Sequence, residues 1–282
     1  MQENKTLFLL DAYALIFRAY YAFIRNPMTN KDGVNTSTIF GFVNTLDEVL
    51  RKQKPSHVGV VFDPSGPTFR KEMYPEYKAN REATPEDIKL AIPYIKRILE
   101  AYNIPFVEVE GFEADDVIGT IAKKAEYEGF KVFMMTPDKD YTQLVSENIF
   151  IFKPKRSGNN AEVLGIKEIK ELFKVKPEQV IDVLALWGDS SDNVPGVPGI
   201  GEKTAKKIIS EYGSIENVYK NLDQFKGKQK ENLENSREQV KLSRQLVTIV
   251  TDVPCDFKEE EFIREDYNAQ KLKELYKLSA RT

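Results

Sequence analysis

The sequence predicts an α/β fold with a mostly parallel central sheet and flanking helices, followed by a helical region. Three observations carry this. Short, continuous apolar runs of strand length end in aspartate; helical patterns alternate with them; beyond about Gly165 the strand-like runs stop and amphipathic segments continue. Strands covered on both faces read as unbroken apolar runs, and strand–helix alternation marks a doubly wound parallel sheet.

Each element has its own signal. "TLFLLD" (6–11), "HVGVVFD" (57–63) and "KVFMMTPD" (131–138) are predicted strands that run into Asp11, Asp63 and Asp138. "PFVEVEG" (105–111) and "NIFIFK" (148–153) are two more. A helix over 35–53 places Ile39, Phe40, Val43, Leu46, Val49 and Leu50 at helical spacing. The next opens with Thr84 as N-cap, Pro85 at the first position and acids in the first turn, and Pro93 predicts a kink. "EADDVIGTIAKKAEYEG" is a third, ending at Gly129. Farther on, "KEIKELFKV", "KPEQVIDVLALWG", "EKTAKKIISEYG", "IENVYKNL", "KENLENSREQVKLSRQLVTIV" and "YNAQKLKELYKLSART" each read as a helix. The expected division is an α/β core over 1–175 and a helical region over 176–282.

Composition narrows the classes. A chain of 282 residues can form one large domain or two modest ones, and 41% hydrophobic with 30% charged residues is ordinary for a soluble globular protein. No apolar run approaches the roughly 20 residues that span a bilayer, and the start lacks the basic region and cleavage site of a signal peptide. A single cysteine, Cys255, excludes an internal disulfide and a cysteine-cluster zinc site. A single histidine, His57, argues against schemes that need several imidazoles. A cytoplasmic location is the expectation. Net charge of −3 speaks against a simple electrostatic DNA binder, unless acids are gathered in one place and bases in another.

The acids suggest such a gathering. In an open parallel sheet ligands sit outside the carboxyl ends of the strands, so Asp11, Asp63 and Asp138 should meet at one edge. Asp140 follows Asp138 by two residues, Glu113, Asp115 and Asp116 open a helix after a strand, and Asp189 and Asp192 share one side of a helix end or turn. Crowded carboxylates cannot all stay ionised without a compensating charge, and oxygen-only ligands suit Mg²⁺ or Mn²⁺. Each group also has a bland reading. Acids in a first helical turn favour the helix dipole, and aspartate after a strand often serves as an N-cap. The coincidence of all the groups favours metal.

"GVPGIGEKTA" has the pattern of a helix-hairpin-helix. Gly196, Gly199 and Gly201 would permit a tight turn with positive φ and close approach of a phosphate to the backbone. The helix that follows would aim its free N–H groups at the turn, and Lys203, Thr204, Lys206 and Lys207 lie in its first turns. A dinucleotide loop is rejected because no strand precedes it. "TFRKEMYPEYKANR" interleaves Arg70, Lys71, Lys78 and Arg81 with Tyr74 and Tyr77, a composition suited to frayed or single-stranded nucleic acid. Arg18 follows Asp11 by one short helix and could reach a phosphate or pair with an acid.

Together, "LLDAYALIFRAYYA", "VVFDPSGPTFRKEMYPEYKANR", "GFEADDVIGT", "TPDKDYTQL" and "GDSSDNVPGVPGIGEKTA" resemble the 5′ nuclease domain of bacterial DNA polymerase I, phage 5′ exonucleases and flap endonucleases. The resemblance covers nearly the whole chain. It implies a PIN-like core with an arch segment at about 70–92. It implies a first metal group of Asp11, Asp63, Glu113 and Asp115 with Asp116 close by, and a second of Asp138, Asp140, Asp189 and Asp192. It assigns Arg18, Arg70, Tyr77, Lys78 and Arg81 to the scissile region or the arch, and Gly196 to Thr204 to a duplex-gripping hairpin that binds K⁺ through backbone carbonyls. The implied activity is two-metal, Mg²⁺-dependent 5′→3′ exonuclease and 5′-flap endonuclease action, with Mn²⁺ able to substitute. The implied partners are DNA with a 5′ flap or nick and RNA primer–DNA hybrids, in replication and repair. A monomer without membrane association is expected. Polymerase I proteins continue into proofreading and polymerase domains, so the chain reads as either an excised domain, with a C-terminal polymerase region as its partner, or an independent protein. The competing readings are a non-catalytic module that binds branched DNA, a PIN-type ribonuclease and, weaker, a dehalogenase-type phosphatase.

Overall fold

The computed structural model describes residues 5–154 and 161–279. Its sheet is built from β1 (Thr6–Asp11), β2 (His57–Val61), β3 (Phe106–Val107), β4 (Lys131–Met135), β5 (Ile149–Lys153) and β6 (Glu162–Leu164), in the order β3-β2-β1-β4-β5-β6. Every pairing is parallel except β5–β6. The apolar runs become strands because both sheet faces are covered: β2 is buried throughout, and β1 is buried from Leu7 to Leu10. The order of the strands reverses between β1 and β4, and Leu10 lies opposite Met135 there. A crevice outside this reversal is where open α/β sheets bind ligands.

One face of the sheet is covered by α1 (Ala12–Phe23), α2 (Ser37–Gln53) and α4 (Glu86–Ala101), while the short α3 (Phe69–Met73) turns its buried Arg70 toward residues 116 and 246–248. On the other face, α5 (Ala114–Tyr127) joins α6 (Ile166–Phe173), α7 (Val180–Trp187), α8 (Glu202–Tyr212), α9 (Ile215–Lys220), α10 (Gly227–Asn235) and α11 (Arg237–Val247) around a second core. The chain then crosses back. α12 (Glu259–Phe262) lays Phe262 against Gly59, where an added Cβ would stand 2.6 Å from the ring, and α13 (Ala269–Ser279) packs on α4. The last stretch of the helical region thus lies against the α/β core. No described helix is long and apolar enough to cross a membrane.

Several boundaries differ from the sequence expectation. The strand expected over 105–111 shrinks to two residues at the sheet edge. β6 was not foreseen; it is three residues long, with only Leu164 buried. Pro85 itself takes the extended N-cap position, so α4 starts one residue later than expected, and it continues through Pro93 as one helix. The long helix expected over 230–250 divides at the buried Ser236 into α10 and α11. Asparagine and serine compete for backbone hydrogen bonds and favour helix ends, which explains the break at Asn235–Ser236. Of the expected arch, residues 86–92 are the first turns of α4 and bury Ile88 and Ala91.

Candidate active site

The strand ends and helix starts enclose a cleft of about 780 Å³, lined by Asp11, Asp63, Glu113, Asp115, Asp138, Asp189 and Asp192. Backbone geometry places each one. Asp11 ends β1 and caps α1, its Oδ1 accepting from the Ala14 amide at 3.0 Å, while Oδ2 accepts from the Thr136 hydroxyl at 3.1 Å. Asp63 accepts from the Ala114 amide at 2.8 Å and so sits on the free N-terminal amides of α5. Glu113 and Asp115 open that same helix. Asp138 and Asp140 follow β4, and the Asp140 amide donates to Asp138 Oδ1 at 2.9 Å. Asp189 and Asp192 occupy a turn closed by paired Asp189–Val194 backbone bonds of 2.9 and 2.8 Å, just past the end of α7.

The electrostatics follow from crowding. Burial, then the neighbouring Asp63, pushes the Asp11 carboxyl up to about 7. Burial and Asp138 push Asp140 up to about 8. Burial also raises Asp63, Asp115 and Asp138; Asp138 is exposed at the rim, yet the surrounding protein still disfavours its charge. Asp140 Oδ1 is buried without a hydrogen-bond partner. Two acids are held down instead. Burial opposes the charge on Glu113, but Lys78 and Arg70 outweigh it; burial likewise opposes Asp189, but Lys139 outweighs it.

Bases stand among the acids. Lys78 Nζ donates to Glu113 at 2.9 Å and lies 3.7 Å from Asp192. Arg81 pairs with Asp192, and Lys139 with Asp189. The buried Tyr77 hydroxyl stands 3.0 Å from Glu113 and 3.3 Å from Asp192, so its one proton is shared between the two carboxylates. Lys78 has a left-handed backbone (φ 56°), uncommon for a lysine, and its amide donates to the Asp192 carbonyl at 2.9 Å. Asn80 donates to the Ser190 carbonyl and Asn193 to that of Glu76, both at 2.7 Å. Residues 76–81 are therefore folded down on the 189–193 turn. Among the described residues no three acid, histidine or cysteine side chains stand close enough together to close around an ion as they are; lysines and an arginine lie between them. The donor set is nonetheless oxygen-only and rich in raised carboxyls, and the buried Asp140 Oδ1 has no hydrogen bond, only Lys139 Nζ at 3.7 Å; these features fit a hard divalent cation.

Not every expected residue comes to the cleft. Arg70 is a correction: it is buried, forks onto Asp116 at 2.6 and 2.7 Å, and donates to the carbonyls of Leu246 and Thr248 at 2.8 Å each. Asp116 is a second correction as a metal ligand. Besides Arg70 it accepts from the amides of Val250 (2.8 Å) and Glu113 (3.2 Å), and it is fully buried. For this residue the helix-start explanation holds. Arg18 lies half-buried on α1 and does not line the cleft. Asp140 does not line it either. Lys139 was not singled out, although a base between two acids in "DKD" was a readable signal. Thr136 and Tyr13 also reach the site, but only the fold reveals them.

The hairpin is α7, a turn and α8. Only one of its three expected positive-φ glycines is such: Gly199, at 77°. Gly196 is needed for close approach instead, since an added Cβ would lie 2.2 Å from the Trp187 carbonyl oxygen. Gly201 has ordinary extended backbone, with nothing near its missing side chain. Lys203 and Lys207 are exposed and Thr204 is half-buried, whereas Lys206 is turned to Glu202 (2.6 Å) and the Leu172 carbonyl (2.8 Å).

Fold and cleft together define an α/β protein with an acid site at the sheet's switch point and a hairpin beside it. Solved structures share this fold. The T5 5′-exonuclease with bound zinc ions has a TM-score of 0.72 at 24% identity, covering 98% of this chain and 100% of that one. The catalytic core of Rad2 in complex with DNA substrate has 0.65 at 18%, covering 98% and 88%. The N-terminal resolvase-like domain model of 5′-3′ exonucleases matches residues 6–174, and their C-terminal SAM-fold model matches 175–270. The 5′-3′ exonuclease of Aquifex aeolicus is 40% identical over 275 residues, 96% of this chain and 92% of that protein. DNA polymerase I of Bacillus subtilis is 38% identical over 279 residues, 98% of this chain but 31% of the polymerase, so the chain spans about a third of that relative's length. The chain belongs to the 5′-3′ exonuclease family.

Proposed function

We propose that the chain is a Mg²⁺-dependent, structure-specific 5′ nuclease that degrades DNA 5′→3′ and cuts near the junction of a 5′ flap and duplex. Its tasks would be removal of RNA primers and repair flaps in cytoplasmic replication and repair. The observation that carries this reading is the cleft of acids drawn from five chain segments, with carboxyls pushed above their ordinary range. Buried like charges left unbalanced by protein are expected where cations belong. Residues 1–175 would supply most of the cutting site, and residues 176–282 would add Asp189 and Asp192 to it and hold the duplex.

Asp11, Asp63, Glu113 and Asp115 would hold one ion, and Asp138, Asp140, Asp189 and Asp192 a second. Such ions activate water and stabilise the leaving oxygen of a phosphodiester. Tyr77 holds Glu113 and Asp192 in register across the two groups. Lys78 and Arg81, already at the cleft, are placed to leave their carboxylates for the phosphate that enters. The hairpin offers backbone N–H groups at the start of α8, with Lys203 and Lys207 beside them, a surface that reads phosphates rather than bases. K⁺ at the hairpin carbonyls is part of the same proposal.

The test is a 5′-end-labelled 5′-flap DNA incubated with the protein in EDTA and then in Mg²⁺. Cleavage near the junction only with Mg²⁺ supports the reading. Tight binding without cleavage in Mg²⁺ or Mn²⁺ replaces it with a module that binds branched DNA.

A further inference from the structure

We infer that Arg70 is a positioning residue that ties the hairpin to the first acid group and so sets where the cut falls; this rests on the nuclease reading. The two acid groups differ in how they are joined to the hairpin. Asp189 and Asp192 belong to the same short segment as Pro195 and Gly196, so the chain itself spaces them. Glu113 and Asp115 lie on α5, far away in sequence, and need a tie through space.

Arg70 supplies it. On the hairpin side, α11 packs on α7; its Gln239 donates to the Gly196 carbonyl at 2.5 Å, and its Ser243 hydroxyl donates to the Pro195 carbonyl. The end of α11 and the chain just beyond it present the carbonyls of Leu246 and Thr248, and both accept from Arg70. The remaining face of the guanidinium forks onto Asp116 of α5, one residue from Asp115. Asp116 closes the loop by accepting from the Val250 amide. Gln143 makes a parallel tie to the same segment, donating to the Val247 carbonyl and accepting from the Ile249 amide at 2.9 Å each. A planar guanidinium can fork two donors onto a carboxylate and still donate to two carbonyls, four bonds that an ammonium with three donors cannot make. Its burial leaves it no route to a substrate, so its effect must pass through the acids it touches at the start of α5: Asp116, Glu113 at 3.5 Å and Asp115 at 3.9 Å.

Two readouts test the tie. Spin labels at Tyr127→Cys on α5 and Ser210→Cys on α8, in a Cys255→Ser background, measure the separation of the two helices without any need for cleavage. Both sites are exposed. The mapped cut on 5′-flap DNA in Mg²⁺ measures the consequence. Arg70→Lys keeps the charge and gives up the fork; the pair Arg70→Met with Asp116→Asn removes the fork without stranding a buried charge. We expect a broadened distance distribution in both variants. The single cut should spread to neighbouring phosphates, with a rate loss of about a hundredfold, as a displacement of about 1 Å would give. An unchanged distance distribution and an unchanged cut position overturn the inference, even if the melting temperature falls. Should the parent protein cut no flap, the nuclease reading fails, while the distance distribution still decides whether Arg70 is the tie.

Discussion

Arg70 and Lys78 come from one stretch, "FRKEMYPEYK", and each pairs with an acid at the start of α5, yet their surroundings give them opposite work. Arg70 and Asp116 are 1% and 0% exposed, and the donors left over from their fork go to two backbone carbonyls and, at 3.5 Å, to Glu113. Lys78 is 25% exposed, faces the cleft, and shares its charge between Glu113 and Asp192. A closed buried pair fixes structure, because any partner left alone inside is costly. A pair that opens on a cleft can exchange its carboxylate for an entering phosphate. Identity of residue type therefore says little; closure of the hydrogen-bond shell decides.

The strongest test of this contrast lies in the acids. Asp63→Ala should abolish flap cleavage, read on a labelled substrate, and leave the circular dichroism unchanged; persistent cleavage would remove Asp63 from the site. Next come the bases themselves. Arg70→Ala strands Asp116 and should cost about 3–5 kcal/mol of stability by denaturant unfolding. Lys78→Ala should cost under about 1 kcal/mol but slow cleavage by about a hundredfold, the scale for loss of one charge-stabilising donor. Equal stability losses in the two variants would break the contrast.

A pH series sharpens it further. With Asp11 raised to about 7 and Asp140 to about 8, the folded protein binds more protons than the unfolded chain from about pH 4 upward. Stability in EDTA should therefore fall as pH rises through this window and level off above about pH 8. Melting temperatures from pH 5 to 9 check this, and added Mg²⁺ should restore most at the alkaline end. A rise with pH would contradict the crowding of unbalanced acids. The smallest effect is expected at Lys139, which neutralises Asp189 at the half-exposed rim. Lys139→Met should lower the Mg²⁺ concentration for half-maximal cleavage by a few-fold, on the order of one surface ion pair.

Much of the site was legible because it lies at element ends. Asp11, Asp63 and Asp138 stand where apolar runs stop, and a parallel sheet brings such ends to one edge. Asp189, Asp192 and the glycines advertise a turn. The arginine was misread for a physical reason: a basic residue among aromatics looks the same in sequence whether it faces solvent, substrate or the core. Only the return of residues 246–250 to α5, about 130 residues away in sequence, surrounds Arg70 with carbonyls and makes Asp116 its partner. The same holds for the glycines, since Gly196 answers to the Trp187 carbonyl pressed against it rather than to its own φ.

By itself the sequence determined the buried strands β1, β2, β4 and β5, the alternation of helices, the acids at the strand ends and the hairpin, because apolar periodicity and turn chemistry are local properties. Only the tertiary structure decided which charges are closed and which are open, where the long C-terminal helix breaks, and how α11 is tied to α5. Those outcomes depend on which carbonyls and carboxylates come together across long stretches of chain, and no local pattern encodes that.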